Sequence, residues 1–448
     1  MSEDSLPYDK YSIDSIVEYA GKLRGHTLRE MTDAGELRST KVQRGIYGNA
    51  IEEYYFKYKP NSNPEPDFSE ADLELKVTPM KKVRGNKLVA KERLVISKID
   101  YMTVVNEDFE HSHMMQKMKN VLLITYLWEK GVDQLDYKIL STELWRIPKE
   151  DLPQIRHDWE TVVNKVRSGH AEDISGSDTQ YLEACTKAAH GTDRTDQPYS
   201  SVRAKPRAWA LKASYMTAIE NGLIQRRQRI ERSAAERDMD LVELVRERFK
   251  PYFGLTEEEL RARFGLSKSK NLCARITNRI LGGDDGTEID ELVKAGAKPK
   301  TIRLQANGRP KESVSFPAFD YYKLLDTDFD ASDFYGYLQQ KYLFVLYEKD
   351  GGEYRLRDVI MWQMPESDFP EAKSCYDQMR RNVRNGRADI SVKSTENHCC
   401  HVRPHGRDSS DTKPQPYGPP VVKKCFWLNA GYVAEEIAKA RRAKRPAC

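Results

Sequence analysis

Apolar and polar residues alternate with two different periods along this chain, and each change of period marks an element. In "SIDSIVEYAGKLRG" and "GIYGNAIEEYYFK" the apolar positions recur at helical spacing, which predicts helices with one buried face. "ADLELKV", "RLVISKI" and "NVLLITYLW" are short β-rich runs and predict strands, the first in clean alternation. "RRQRIERSAAERDMDLVELVRERF" is charged throughout, with Leu241, Leu244, Val245 and Phe249 at helical spacing, and predicts a helical connector. Helices and strands alternate on both sides of it, so the expected fold class is α/β with mixed sheets.

The pattern also repeats. "WRIPKEDLP" (Trp145 to Pro153) returns as "WQMPESDFP" (Trp362 to Pro370), and "VRSGHAEDIS" returns as "VRNGRADIS" around Gly169 and Gly386. "HGTDRTD" (His190 to Asp196) returns as "HGRDSSD" (His405 to Asp411), and "WALKASY" (Trp209 to Tyr215) as "FWLNAGY" (Phe426 to Tyr432). Four segments in one order at a nearly constant offset make the chain a tandem duplication. Two domains are expected, 1–235 and 236–448, which also suits a 448-residue length too great for one core.

The first strand carries the candidate chemistry. In "DLELKV" the apolar Leu73, Leu75 and Val77 alternate with Asp72, Glu74 and Lys76, so Glu74 and Lys76 share one face. Asp67 precedes them in "NPEPDFSEADLELKVTP" and can return beside Glu74 across a tight bend. Two carboxylates together suit Mg²⁺, a hard ion that prefers oxygen ligands. A lysine beside that ion can orient water and offset charge on a phosphate, the equipment of a phosphodiester hydrolase. The bland reading is an exposed strand with a solvated ion pair, which contributes little. Asp72 is a fallback for the first carboxylate.

Composition narrows the setting. Lys+Arg number 73 against 69 Asp+Glu, a formal +4 that permits nucleic-acid binding without demanding it. The polar, acidic start "MSEDSLPYDKYS" is not read as a secretory signal, and no apolar run is long enough to span a bilayer. Seven scattered cysteines fit reduced thiols, so a cytoplasmic location is expected. "HCCH" at His398 to His401 suits zinc poorly, because adjacent cysteines strain tetrahedral ligation and no C-x-x-C partner exists. The basic tail "KARRAKRPAC" reads as a solvated end.

Three neighbouring blocks give the strand a context. "RGIYGNAIE" holds Arg44, Gly45, Gly48 and Glu52, "SHMMQKMKNVLLITYLW" holds Lys117, and "LEACTKAAHG" holds Lys187. In this order, [KR]-G-x-x-G-x-x-x-E, P-E-x-D-F-x-x-x-x-x-E-L-K and S-H-x-x-x-K-x-K, the chain resembles the MutH mismatch-repair endonuclease and the GATC-cutting restriction endonucleases related to it. Asp158 to Glu160 and the L-x-x-x-x-K-A-A of Leu182 to Ala189 extend the resemblance over most of the first half. It implies a restriction-endonuclease-like fold in which Asp67, Glu74 and the Leu75 carbonyl hold Mg²⁺. Lys76 then positions the attacking water, Glu52 steers Lys76 or a second ion, and Lys117 approaches the scissile phosphate. One extra residue between Glu52 and Asp67 leaves Glu53 as a substitute for Glu52. Cys185 stands where relatives often carry arginine, which touches the base contacts rather than the chemistry. Those contacts are expected from the loops around Lys187 and from Trp209 to Lys212.

Carried into the second copy, the same offsets place Asn278 against Glu52, Glu291 against Asp67, Lys298 against Glu74, Lys300 against Lys76 and Gln339 against Lys117. A protonated lysine cannot ligate Mg²⁺, so the second half is read as catalytically inactive. It keeps "HVRPHGRDSSD", and Arg403 and His405 are its expected DNA contacts. The resemblance then implies a type II restriction endonuclease cutting double-stranded DNA at GATC, 5′ of the G. Its second half would bind a further site, with dimerisation or bridging of two sites. The rivals are a mismatch-repair nicking enzyme, disfavoured by the duplication, and a non-enzymatic DNA-binding regulator, disfavoured by the intact first-half set.

Overall fold

The structure is a computed structural model that describes residues 6–32, 46–58, 65–83, 86–188, 190–222 and 228–443. Arg44 and Gly45 lie outside the described residues. The chain divides into two compact units, Met1–Arg226 and Arg227–Cys448.

In the first unit the strands are β1 (Glu74–Val83), β2 (Lys87–Ala90), β3 (Leu94–Lys98), β4 (Val121–Leu127), β5 (Lys138–Trp145), β6 (Leu182–Thr186), β7 (Thr195–Gln197), β8 (Ser200–Ala204) and β9 (Arg207–Leu211). They form a sheet of order β2-β1-β4-β5, a sheet of order β3-β9-β6 and the hairpin β7-β8. β1 and β4 run parallel, with Glu74 beside Val121 and Lys76 beside Leu123. The other pairings in these sheets are antiparallel. Leu73, Leu75, Leu122 and Ile124 pack with Ile16, Ala20, Ile51 and Phe56, so one face of β1 and β4 is sealed by the N-terminal helices. By alternation Glu74 and Lys76 point from the other face.

The second unit repeats this plan with β10 (Ala297–Leu304), β11 (Val314–Ser315), β12 (Lys341–Asp350), β13 (Glu353–Trp362), β14 (Cys400–Pro404), β15 (Thr412–Lys413), β16 (Val421–Val422) and β17 (Lys424–Leu428). Its sheets are β10-β12-β13 and β11-β17-β14, with β15 and β16 paired. β10 and β12 are again parallel, with Lys298 beside Tyr342 and Lys300 beside Phe344. Each unit carries a 16-residue helix entered by proline, Leu152–Arg167 and Phe369–Arg384. The mixed α/β expectation therefore holds in both units.

The helical connector is helical over only part of its length. Leu241–Phe249 forms a helix capped by Asp240, with Leu241, Leu244, Val245 and Phe249 buried, but Gln228 instead makes a parallel bridge to Ile289. The arginine-rich start lacks apolar residues at helical spacing, so nothing binds it to a helical face. The two compact units divide at 226/227, at the very start of this segment, where 235 was expected. Among the described residues no helix is long and apolar enough to cross a membrane.

Candidate active site

A short loop brings Asp67 to the start of β1. Phe68 and Leu73 exchange both backbone N–H···O bonds, at 2.9 and 3.2 Å, and fold the chain back on itself. Asp67 Oδ2 then accepts the Leu75 N–H at 2.9 Å. Asp72, with φ +53°, lies in the left-handed region just before the strand, and its carboxylate pairs with Lys119 outside. The fallback role for Asp72 is thereby removed, because the strand alternation that would align it with Glu74 begins only at Glu74.

Glu74 is 2% exposed and accepts from two ammonium groups. Lys76 Nζ donates to Glu74 Oε1, and Lys117 Nζ lies 3.2 Å from each carboxylate oxygen. Lys117 also donates to the Glu65 carbonyl at 3.3 Å, a partner the sequence reading did not identify. Its helix, His113–Met118, is fixed by Ser112, whose hydroxyl accepts the Met115 N–H.

Glu52 reaches this group from a π-turn, Ile51–Tyr55, that interrupts the expected helix after Ala50. Such wide turns arise where a helix yields to a local demand, often at functional sites. Burial, then the neighbouring charges of Asp67 and Glu74, push the Glu52 carboxyl up to about 7, against the opposing pull of Lys76. Asp67 is raised above the ordinary carboxylate range as well, by burial first and by Glu74 next. Three carboxylates that crowd one another in this way form a cluster short of positive charge, which is the donor chemistry of a hard divalent cation. Among the described residues the group of three potential ligands with atoms within 4.8 Å of one another is a different one, His170, Glu172 and Asp173.

The pH dependence of stability follows with its sign. Between about 4.5 and about 7 the folded chain keeps a proton on Glu52 that the unfolded chain has lost, so stability falls as pH rises through this window. Metal-free protein is expected to melt at lower temperature at pH 8 than at pH 5.5, and Glu52→Gln to shrink that difference. Thermal scans showing the same slope in both proteins would remove the crowding from Glu52.

The expected recognition residues separate. Lys187 is exposed just beyond β6, its N–H bonded to the Pro206 carbonyl at 2.8 Å. Trp209 is 2% exposed and stacks on Trp159 with ring centroids 6.4 Å apart. It is a core residue, because alternation along β9 turns it inward. Lys212 is 9% exposed, and its ammonium donates to the carbonyls of Gly176 (2.7 Å) and Thr179 (2.5 Å). It is a structural cation, spent on internal acceptors, and both residues leave the set of DNA contacts.

In the second unit Lys298 pairs with Tyr342 and Lys300 with Phe344, each one step further into the parallel pair than Glu74 and Lys76. Lys300 Nζ donates to the Ser315 carbonyl at 3.1 Å, and burial lowers its proton affinity. Asn278 binds the carbonyls of Asp284 and Thr287, both at 2.8 Å. Glu291 accepts the Ile230 N–H, so its carboxylate caps backbone rather than matching Asp67. The Gln339 correspondence needs correction. Ser112 and Ser332 cap the two short helices alike, and counting from the caps sets Tyr337 opposite Lys117. In both units two residues separate that helix from its strand, so Gln339 stands past the helix end, opposite Lys119. Arg403 and His405 are exposed at the end of β14.

Comparison with known proteins points to a nuclease family. The family model "DNA mismatch repair enzyme MutH" matches residues 56–158, a span that contains Asp67, Glu74, Lys76 and Lys117. The chain is 29% identical to the type II restriction enzyme Sau3AI of Staphylococcus aureus, covering 89% of this chain and 93% of that protein. It is 26% identical to the DNA mismatch repair protein MutH of Serratia proteamaculans, over 48% of this chain and 94% of the relative. MutH of an Escherichia coli strain is similar at 26% over 46% of this chain. The mismatch-repair relatives thus account for about half of the chain and the restriction enzyme for most of it, both units included. These similarities support a MutH-like type II restriction endonuclease, a site-specific deoxyribonuclease.

Proposed function

We propose that the first unit is the catalytic domain and hydrolyses both strands of DNA at GATC, 5′ of the G, with Mg²⁺. The observation that carries this reading is the meeting of Asp67, Glu74, Lys76 and Lys117 at the start of one strand, while the same positions in the second unit hold no such set. Asp67, Glu74 and the Leu75 carbonyl would hold the ion, which supplies charge for the developing phosphate oxyanion. Lys76, on the open face of β1, orients the attacking water and loses its hold on Glu74 as it does so. Lys117 turns from Glu74 toward the scissile phosphate, and Glu52 steadies Lys76 by its charge. The cytoplasm is the expected site of action.

Lys187 is assigned to base edges. A good base-edge contact contributes about 1–3 kcal/mol of discrimination, so Lys187→Ala should shift relative cutting of GATC and its one-base variants by about tenfold or more. An unchanged preference would move Lys187 onto the phosphates or off the DNA.

The second unit is proposed to be an inactive effector that binds a further DNA site, through Arg403 and His405, and stimulates the first. Bridging raises the local concentration of the second site, so a two-site plasmid should be cut faster than a one-site plasmid. Equal rates would reduce this unit to packing, and defined fragments rather than nicked circles separate restriction from single-strand nicking.

A further inference from the structure

The three-stranded sheets of the two units can be compared position by position. β6 pairs β9 with Leu182 against Leu211, Glu183 against Ala210 and Cys185 against Ala208. β14 pairs β17 in the same pattern, with Cys400 against Leu428, His401 against Trp427 and Arg403 against Cys425. The inward face is apolar in the second unit as in the first, with Cys400, Val402, Phe426 and Leu428 in its core. The outward face differs.

In the first unit that face is a floor of small residues, Cys185, Ala208 and Ala210, packed with Val95. Its one acid, Glu183, is held by Arg93 at 3.0 Å. In the second unit Trp427 stands at the place of Ala210, Arg403 at that of Cys185 and His401 at that of Glu183. An acid has gone and a guanidinium has arrived. Arg403 lies over the Trp427 ring, its guanidinium carbon 3.7 Å from the ring centroid. His401 stacks beside the same indole at 6.1 Å and 17°, and His405 meets it edge-on at 5.3 Å. Among the described residues Arg403 has no carboxylate partner, whereas Arg407 and Lys423 are paired with Asp408 and Asp411. Ser315, which pairs with Trp427, gives its carbonyl to Lys300, so the stack sits beside the cationic replacement of the metal site.

A guanidinium held over an indole is ordered by the contact while its fork of N–H groups can still donate. Such a fork matches paired acceptors on DNA, either two phosphate oxygens or the edge of a guanine. We propose that Arg403, laid on Trp427, is the fork by which the second unit grips duplex DNA, with Trp427 as its positioning residue. The inference rests on the reading of the second unit as a DNA-binding effector and adds the group that does the binding.

The test uses the full chain and a one-site plasmid, with an uncleavable phosphorothioate GATC duplex added in trans. The duplex concentration that gives half-maximal stimulation reports the second unit's affinity. Arg403→Ala should raise it about tenfold, and Arg403→Lys nearly as much, because a lysine keeps the charge and loses the fork. Trp427→Ala should match Arg403→Ala, Trp427→Phe should restore most of the affinity, and the double alanine variant should be no worse than either single one. Thermal scans identify any variant that fails to fold, and the Lys and Phe variants then carry the test. Recovery of affinity by Arg403→Lys, or additive losses in the double variant, would overturn the fork. Absence of any stimulation in the parental protein would instead sink the effector reading itself.

Discussion

Glu74→Ala is expected to lower cleavage by about a thousandfold, the scale on which loss of one electrostatic contact to a transition state operates. The side chain is buried, holds two ammonium groups, and is the proposed ligand nearest both. Its removal also changes DNA binding in a direction that separates this reading from simple unfolding. Lys76 and Lys117 are both released from their common partner, so an acceptor is lost from a phosphate-facing cluster and two cations become available. Binding of a GATC duplex in Ca²⁺ should persist, and binding without divalent ions should tighten. Retention of more than a small fraction of parental cleavage would rule the site out, while parallel loss of binding would point to collapse of the loop from Asp67 to Leu75.

Much of this constellation was legible because it is local. Asp67, Glu74 and Lys76 lie within one loop and one strand, where alternation alone assigns faces. Lys117 follows from a serine-capped turn directly before the strand that pairs with β1. The misreadings share a different cause. Trp209 and Lys212 were expected at base edges together with the loop around Lys187. Their fate depends on partners far along the chain, Trp159 for one and the carbonyls of Gly176 and Thr179 for the other. Asp72 was misplaced because a single left-handed residue delays the strand, and alternation cannot be extended through such a turn. The π-turn at Glu52 has no signature in hydrophobic spacing, yet it sets that carboxylate among the others. Trp427 was overlooked because its counterpart in the first unit is an alanine. The repeat "WALKASY"/"FWLNAGY" already sets Trp427 opposite Ala210, and the strand register agrees.

The corrected role of Lys212 yields the second large effect. Asp158 is almost fully buried and accepts the N–H groups of Gln180, Tyr181 and Leu182 at 2.8, 2.6 and 2.9 Å. Burial raises its proton affinity, while those three donors and the charge of Lys212 oppose the rise. Lys212 thus adds a favourable charge near Asp158 and donates to two carbonyls in the loop that enters β6. Replacing it with methionine keeps the stem volume but leaves the carbonyls of Gly176 and Thr179 without this donor, and losing two such partners costs about 3 kcal/mol. For a unit of this size that corresponds to a melting temperature lower by roughly 6–12 °C. Below that temperature Lys212→Met should keep its preference for GATC over one-base variants, because the ammonium points inward and meets no base. A variant with unshifted melting and altered sequence preference would return Lys212 to the DNA interface. That outcome would require the loop from Gly176 to Thr179 to open on binding.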